Sequence, residues 1–445
     1  MRGRGLLIAT VLFAALAGLI YWSNKQKAKE ESAPPKDTET KIVSMLQSDI
    51  TRVELKKKDG QDVVLEKSGG SWRITAPQAW DADQNVMNSL VASIGSLNAE
   101  SVVEQKAADL APFGLAPPAE TVVITGKGGK TKTLLMGDEA PTGGAVYAKA
   151  EGDSKIYTVS SYTRGTLDKS VNDLRDKRLL TFDQGSLARV ELVSKGQDVE
   201  FGKNNQGDWQ ILKPGPFRAD GLQVEELIRK LKDAKMDLSG SDDDRKKAVA
   251  AFASAAPVAT AKVTDGSATQ ELQVRKAKAG DYYVKSTVVD GVWKATSELG
   301  DGLGKTADDF RNKKLFDFGF DDPGRIDIHD GAKSYGFVRA GDKWFANGKE
   351  LDTVSIQSFI DKLRELSAAK FVDSGFTAPS IDITVASKDN KRTEKALFSK
   401  QGADYVAKRE NEASLYQVDG KTVEELETAA SAVKPLAAAK TATKK

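Results

Sequence analysis

The feature that most constrains the fold of this chain is an internal repeat. Three tetrapeptides open stretches in which apolar and polar residues alternate, and they lie at 52–55 (RVEL), 189–192 (RVEL) and 325–328 (RIDI). Such alternation is typical of a β-strand with one buried face. Each stretch is followed by a tryptophan, and these lie 137 and 135 residues apart, at Trp72, Trp209 and Trp344. Self-similarity at a nearly fixed period predicts tandem copies of one structural unit.

The rest of the unit recurs as well. After each tryptophan, apolar residues follow the i, i+3, i+4, i+7 pattern of a helix that packs one face on a sheet, within 87–94, 224–231 and 356–363. A second aromatic position recurs further along, at Tyr157, Trp293 and Tyr416. Recurrence at equivalent positions favours a role in the core for these aromatic residues. The alternative, considered for the three tryptophans, is a surface that stacks on a sugar or peptide ligand.

A basic motif ends the first two copies. The segment 173–179 (DLRDKRL) matches 309–315 (DFRNKKL), whereas the third copy reads Val433-Lys434-Pro435. The motif therefore lies where one unit is followed by another. Its cations form a candidate interaction site or inter-repeat junction, and they are Arg175, Lys177, Arg178, Arg311, Lys313 and Lys314. Neighbouring aspartates favour a solvated junction, and binding of anionic headgroups or an acidic partner is the alternative.

Together these patterns predict an α+β protein with three tandem sheet-rich repeats. Each repeat is expected to contain three strands, a helix, about four strands and a second short helix. The predicted boundaries are 47–183, 184–319 and 320–434. The last residues, 435–445, are rich in Ala, Thr and Lys and are predicted to be a disordered tail.

The N-terminus is predicted to be a transmembrane anchor. Residues 5–22 are uncharged, and as a helix they would span roughly 27 Å, close to the thickness of a bilayer core. We therefore predict an anchor over 1–23 and a linker over 24–46. A cleaved signal peptide is the alternative, because 15–17 reads Ala-Leu-Ala. Either interpretation exports the remainder, and we expect a single-pass protein of the bacterial inner membrane with its C-terminal region in the periplasm.

Composition restricts the chemistry that the chain can perform. Lys plus Arg total 66 and Asp plus Glu total 64, which argues against a nucleic-acid-binding protein. There is no cysteine and one histidine, His329, so thiolate chemistry and His-rich metal sites are excluded. The segment 126–131 lacks the first glycine of a phosphate-binding loop and is predicted to be a hairpin turn. Asp242–Asp244 is predicted to cap a helix. We predict no catalytic residue, cofactor or metal.

The first repeat carries further recognisable segments. Residues 112–118 read PFGLAPP, followed by 134–137 (LLMG), 156–159 (IYTV) and 174–177 (LRDK). In this order they resemble the bacterial domain-of-unknown-function family 4340. The resemblance covers about 47–434. It is weaker in the second repeat, where Phe252-Ala253 replaces the Phe-Gly-Leu turn, and weakest in the third. It implies an extracytoplasmic companion of ABC-transporter systems of the gliding-motility type, and no catalytic residues.

Three functions remain open. The first is a non-enzymatic accessory protein, anchored in the inner membrane and bound to an ABC-transporter permease or a related envelope complex. A periplasmic binding protein for a glycan, lipid or peptide is the alternative, which a deep pocket lined by aromatic residues would favour. A cell-envelope hydrolase comes third, and carboxylates clustered in a cleft would favour it.

Overall fold

The computed structural model describes residues 40–266, 268–320, 323–387 and 391–437. Among the helices in these ranges, none is both long and apolar enough to cross a membrane. The predicted anchor, at 1–23, lies outside the described residues. The chain divides into two compact units, 1–177 and 178–445.

The predicted α+β class is confirmed, because the described residues form three antiparallel sheets, each followed by helices. The first unit holds one sheet, with spatial order β4-β3-β2-β1-β6-β7-β8-β9-β5. Its strands are β1 (Ile50–Lys57), β2 (Val63–Ser68), β3 (Ser71–Ala76), β4 (Trp80–Asp81), β5 (Ser101–Glu104), β6 (Glu120–Gly126), β7 (Thr131–Glu139), β8 (Ala145–Ala150) and β9 (Ile156–Ser160). Its helices are α1 (Gln84–Gly95), α2 (Ser161–Leu167) and α3 (Val171–Leu174).

The second unit contains the other two sheets. The first of them has the order β13-β12-β11-β10-β14-β15-β16-β17. Its strands are β10 (Arg189–Ser194), β11 (Gln197–Lys203), β12 (Trp209–Lys213), β13 (Phe217–Arg218), β14 (Ala256–Thr264), β15 (Thr269–Lys276), β16 (Tyr282–Ser286) and β17 (Trp293–Ala295). Its helices are α4 (Gly221–Asp233), α5 (Asp242–Ser254) and α6 (Ser297–Leu303).

The last sheet repeats the order of the first, as β21-β20-β19-β18-β23-β24-β25-β26-β22. Its strands are β18 (Arg325–Asp330), β19 (Lys333–Ala340), β20 (Lys343–Ala346), β21 (Lys349–Glu350), β22 (Lys370–Val372), β23 (Ile381–Ser387), β24 (Arg392–Gln401), β25 (Asp404–Arg409) and β26 (Leu415–Val418). Its helices are α7 (Thr353–Glu365) and α8 (Gly420–Ser431).

Each sheet buries one face against the helix that follows its first strands. Val53 and Leu55 alternate inward along β1 and are fully buried, and Val190 and Leu192 do the same in β10. The three long helices α1, α4 and α7 share the same kind of N-terminal cap. The aspartate before each one accepts a hydrogen bond from a backbone N–H of the first turn, and these caps are Asp83, Asp220 and Asp352. A cap of this kind stabilises a helix by about 1 kcal/mol.

The repeated aromatic residues are buried in three separate cores. Trp72 and Tyr157 belong to the core of the first sheet. The cores of the second and third sheets contain the equivalent pairs, Trp209 with Trp293 and Trp344 with Tyr416. The two tyrosines at the second repeated position, Tyr157 and Tyr416, each donate a hydrogen bond to the carboxylate four residues earlier. The distances are 2.6 Å from Tyr157 to Asp153 and 2.7 Å from Tyr416 to Glu412.

The Phe-Gly-Leu turn packs on the face of the first sheet that the long helix leaves open. The ring of Phe113 meets that of Tyr147 edge-on, with centroids 5.0 Å apart. Gly114 has a φ of +63°, and a Cβ at Gly137 would lie 2.1 Å from the carbonyl oxygen of Phe113. Both glycines are therefore required for this close approach. In the second sheet, Phe252 of α5 and Tyr283 belong to one small buried cluster, so a helix takes the place of the turn there.

The segments predicted to lie outside the repeats are partly folded. Ile42 and Val43, at the end of the predicted linker, are buried in the first core. At the start of the predicted tail, Pro435 forms a β-bridge with Leu351. Leu315 and Phe316, which follow the second basic motif, belong to the core of the third sheet. The hydrophobic residues after each motif therefore serve the unit that follows.

Candidate functional site

The basic motif extends the edge of the sheet that precedes it. Arg175 forms a β-bridge with Ala82, and Arg311 forms one with Ala219. Beside them, the N–H of Asp83 donates to Leu174 O at 2.8 Å and that of Asp220 donates to Phe310 O at 2.7 Å. The third copy builds the same contact from Pro435, whose bridge to Leu351 is accompanied by a bond from Asp352 N to Lys434 O at 2.9 Å. In all three copies this bridge and its hydrogen bond are made by backbone groups. A different amino-acid sequence can therefore form the same contact.

The end of each motif pairs with the segment after the next long helix. Arg178 forms a bridge with Lys235, and Lys314 forms one with Ser367. The connection between α6 and β18 is thereby tied to the edge of the second sheet, through Arg311 and Ala219, and to the segment after α7, through Lys314 and Ser367. The side chains of Lys313 and Lys314 are exposed, so the part these two residues play in the junction is made by their backbone. Lys177 is half-buried.

The two equivalent arginines stack on aromatic rings. The guanidinium of Arg175 lies 4.7 Å from the ring centroid of Trp80. That of Arg311 lies between two rings, 4.2 Å from Phe217 of the second sheet and 3.4 Å from Phe371 of the third. It also donates to Ser414 Oγ at 2.8 Å. Such stacking contributes about 1 kcal/mol or more when the cation is desolvated.

Arg218 is the second link between these two sheets. It forms an ion pair with Asp317, and its Nε lies 2.9 Å from Glu412 Oε1, although without hydrogen-bond geometry. It also donates to the Tyr416 hydroxyl at 3.1 Å. Burial alone would lower the pKa of Arg218, but Asp317, Tyr416 and Glu412 outweigh it and raise that pKa above its ordinary value. Arg218 therefore stays charged.

Arg409 and Glu394 form the buried centre of the network. The two residues are 8% and 6% exposed, and Arg409 Nη2 donates to Glu394 Oε1 at 2.9 Å. Arg409 also donates to Leu315 O at 2.9 Å, and its Nε lies 2.8 Å from Glu412 Oε1. Glu394 accepts from the backbone N–H of Asp317 at 3.0 Å. Three arginines, counting Arg392, thus face three carboxylates, and the charges balance.

A polar cleft of about 920 Å³ lies beside this network. Its walls come from the β11–β12 turn, the start of α4, the segment 312–317 and the start of β24, so both sheets of the second unit contribute. Its lining includes Trp209, Leu222, Glu225 and Arg392. Trp209 Nε1 donates to Glu225 Oε1 at 2.6 Å, which fixes both side chains in the wall.

The charged groups of this site form a structural network, here called a clamp, that holds the second and third sheets together. Its acids and bases neutralise one another at 2.8–3.3 Å, and an arginine held by two carboxylates does not act as a general acid. Within the described ranges there is no group of three His, Asp or Glu residues placed to hold a metal. His329 is exposed and hydrogen-bonded to Ser334 Oγ at 2.9 Å. The network instead fixes the second and third sheets relative to each other.

Sequence reasoning found Arg311 but gave no role in the junction to Arg218, Asp317, Glu394 or Arg409. A signal existed for two of them. Along β25, Arg409 has the same parity as the buried Tyr405 and Ala407, and along β24 Glu394 has the parity of Ala396 and Phe398. Alternation therefore assigned both charges to the inward face, where a charge requires a partner. Arg218 and Asp317 carry no comparable signal, because they lie in a two-residue strand and a connection.

The fold and the junction define the chain as a tandem-repeat protein built from antiparallel α+β units. A family model described as a domain of unknown function (DUF4340) matches residues 72–209 and again 209–382. The chain belongs to this family, and the resemblance found in the sequence is confirmed. Both matches begin at equivalent tryptophans, Trp72 and Trp209. No curated protein and no solved structure matches the chain.

Proposed function

We propose that this protein is a non-enzymatic accessory subunit of the bacterial envelope. In this proposal, residues 5–22 anchor it in the inner membrane, and its repeated sheets face the periplasm and bind an ABC-transporter permease or a related complex. The observation that carries the proposal is the junction. Arg218 of the second sheet forms an ion pair with Asp317, beside the buried Arg409–Glu394 pair of the third sheet, and this link between two sheets suits a protein that presents an extended surface.

Partner capture tests the proposal. The full-length protein is purified in mild detergent from its native membrane, with photo-crosslinking side chains at Leu222 or Val354. These apolar residues occupy equivalent positions in α4 and α7 and are 82% and 77% exposed. Enrichment of an ABC permease or ATPase over a matched crosslinker at the exposed Asp342 supports the proposal. Recovery of the protein alone, at every crosslinker position, rejects it.

Location is tested separately. Since the chain has no cysteine, a single cysteine at Asp342 is a unique label for a membrane-impermeant maleimide. We expect labelling in cells whose outer membrane is permeabilised, and no labelling of a cysteine placed at residue 3. We also expect the protein to resist alkaline extraction from membranes. The reverse labelling pattern rejects the orientation, and alkaline release rejects the anchor.

The cleft beside the junction supports a second candidate function, a periplasmic binding protein for a glycan, lipid or peptide. The cleft is open and largely polar, and Trp209 is the tryptophan in its lining, which favours a polar ligand over a lipid. Native mass spectrometry of the protein isolated from its own cells measures any bound mass. Loss of that mass in Arg392→Ala, with retention in the control Arg339→Ala, supports the candidate. If the isolated protein carries no bound mass and also binds no member of a panel of envelope glycans and peptides, the ligand-binding candidate is rejected.

A further inference from the structure

Glu120 is a buried acid without a partner. It is the first residue of β6 and is 3% exposed. Neither of its carboxylate oxygens has a hydrogen-bond donor among the described residues. The junction network, which lies in the other unit, does not use it. An ionised carboxylate in such a place is costly unless it is paired.

The other repeats show that the fold does not require an acid at this position. Glu120 pairs with Lys57 across β1 and β6. The same register places Ala259 opposite Ser194 in the second sheet and Ile381 opposite Asp330 in the third. A small or apolar side chain therefore fills this position in the two sister units. The acid, and the lysine opposite it, belong to the first repeat alone.

Three charged groups face Glu120. Lys57 Nζ, at the end of β1, forms an ion pair with Asp168, the residue that follows α2. Arg164 of α2 and Asp168 both act on the Glu120 carboxyl electrostatically. The Lys57–Asp168 ion pair links the end of β1 to the end of α2, and Leu167 beside it is fully buried.

The environment of Glu120 favours its neutral form. Burial, followed by the negative charge of Asp168, raises the pKa of Glu120 from 4.5 to about 7, and Lys57 and Arg164 only partly oppose this. The carboxyl therefore changes charge near neutral pH. Once ionised, it becomes a second anion within the field of Lys57 and competes with Asp168 for the ammonium group.

We propose that Glu120, Lys57 and Asp168 form a proton-controlled latch on α2. With Glu120 neutral, Lys57 binds Asp168 and holds the end of α2 on the sheet. When Glu120 releases its proton to solvent, its carboxylate draws Lys57 away from Asp168. The end of α2 is then free to lift, and water reaches the acid. Acidification reverses each step.

Hydrogen exchange of the full-length protein tests the latch. Peptides covering α2 are followed at pH 5 and pH 8, after correction for intrinsic exchange rates. If Glu120 has a pKa of 4.5 when α2 is lifted and about 7 when it is seated, linkage predicts an opening constant roughly 70-fold larger at pH 8. The helix α6 of the second repeat, whose equivalent position is Ala259, serves as the internal control and is expected to show no change.

Variants distinguish a Glu120 that controls α2 from a Glu120 that changes its protonation without an effect on α2. Glu120→Gln, and Glu120→Ala if the amide disturbs folding, are expected to keep α2 protected at both pH values. Lys57→Met removes the tie and is expected to expose α2 already at pH 5. Equal protection of wild-type α2 at pH 5 and pH 8 overturns the proposal. So does a pH response that persists in both Glu120 variants, or wild-type protection of α2 at pH 5 in Lys57→Met.

Discussion

The Arg409–Glu394 pair offers the sharpest test of the junction. Arg409→Met keeps most of the volume of the side chain but removes every donor, so Glu394 loses a charged partner at 2.9 Å and Leu315 O loses a hydrogen bond at 2.9 Å. Because Glu394 is 6% exposed, water cannot replace the lost donor without rearrangement. Breaking one side of a buried ion pair costs about 3–5 kcal/mol. We therefore expect the third sheet to lose about 3 kcal/mol of stability.

Glu394→Gln and the double variant complete the cycle. Glutamine still accepts from the N–H of Asp317, so this change is expected to cost about 1–2 kcal/mol. In the double variant, the buried carboxylate that made the first change costly is absent. The double variant should therefore lose about 2 kcal/mol less free energy of unfolding than the sum of the two single variants. A difference of this size is within the range measured for residues in contact.

Because the chain has no cysteine, a single introduced cysteine can report the unfolding of one sheet. Ala407 of the third sheet and Ala148 of the first occupy equivalent positions, opposite Phe398 and Met136, and both are 0% exposed. A single cysteine at either position reacts with a thiol reagent only when that sheet opens. Its reaction across a guanidinium series gives the free energy of unfolding for each sheet.

Arg409→Met should destabilise the third sheet and leave the Ala148→Cys reporter of the first sheet unchanged. A loss below about 1 kcal/mol at the Ala407→Cys reporter would show that the pair is solvated, in the range of a surface salt bridge. Strictly additive single variants would show that the two residues do not interact. Either result would refute the assignment of the network as a clamp.

Three further changes test other parts of the structure. Gly137→Ala should cost more than about 2 kcal/mol, because its Cβ would lie 2.1 Å from Phe113 O, whereas Gly165→Ala, with open space around it in α2, should gain up to about 1 kcal/mol in denaturant titrations. Arg311→Lys should lose about 1 kcal/mol at the third-sheet reporter, since an ammonium cannot stack between two rings as a guanidinium does. Asp419→Ala should lower the melting temperature by a few degrees, because the cap of α8 accepts two backbone N–H bonds.

The alternation of residues predicted the central strands, because a half-buried sheet requires apolar side chains at every second position. The 3.6-residue pattern likewise located α1, α4 and α7, whose buried residues are the predicted ones. Five short edge strands were not predicted, since each repeat was expected to have three strands before its long helix and about four after it. Three of them, β4, β13 and β21, have two residues each. The other two are β5 and β22. They are four and three residues long, and pairing with β9 and β26 stabilises them more than any local pattern does.

The sequence by itself determined the repeat, the α+β class, the aromatic positions and the family, since each rests on local periodicity or on residues in a fixed order. Only the tertiary structure decided which charges meet. Arg218 and Asp317 are 99 residues apart, and Arg409 reaches a carbonyl 94 residues away, so no window of sequence contains either contact. The same holds for Glu120, whose neighbours come from β1 and α2. Long-range packing sets the burial and partners of a charge, and these decide whether it is solvated, clamped or poised to change its protonation.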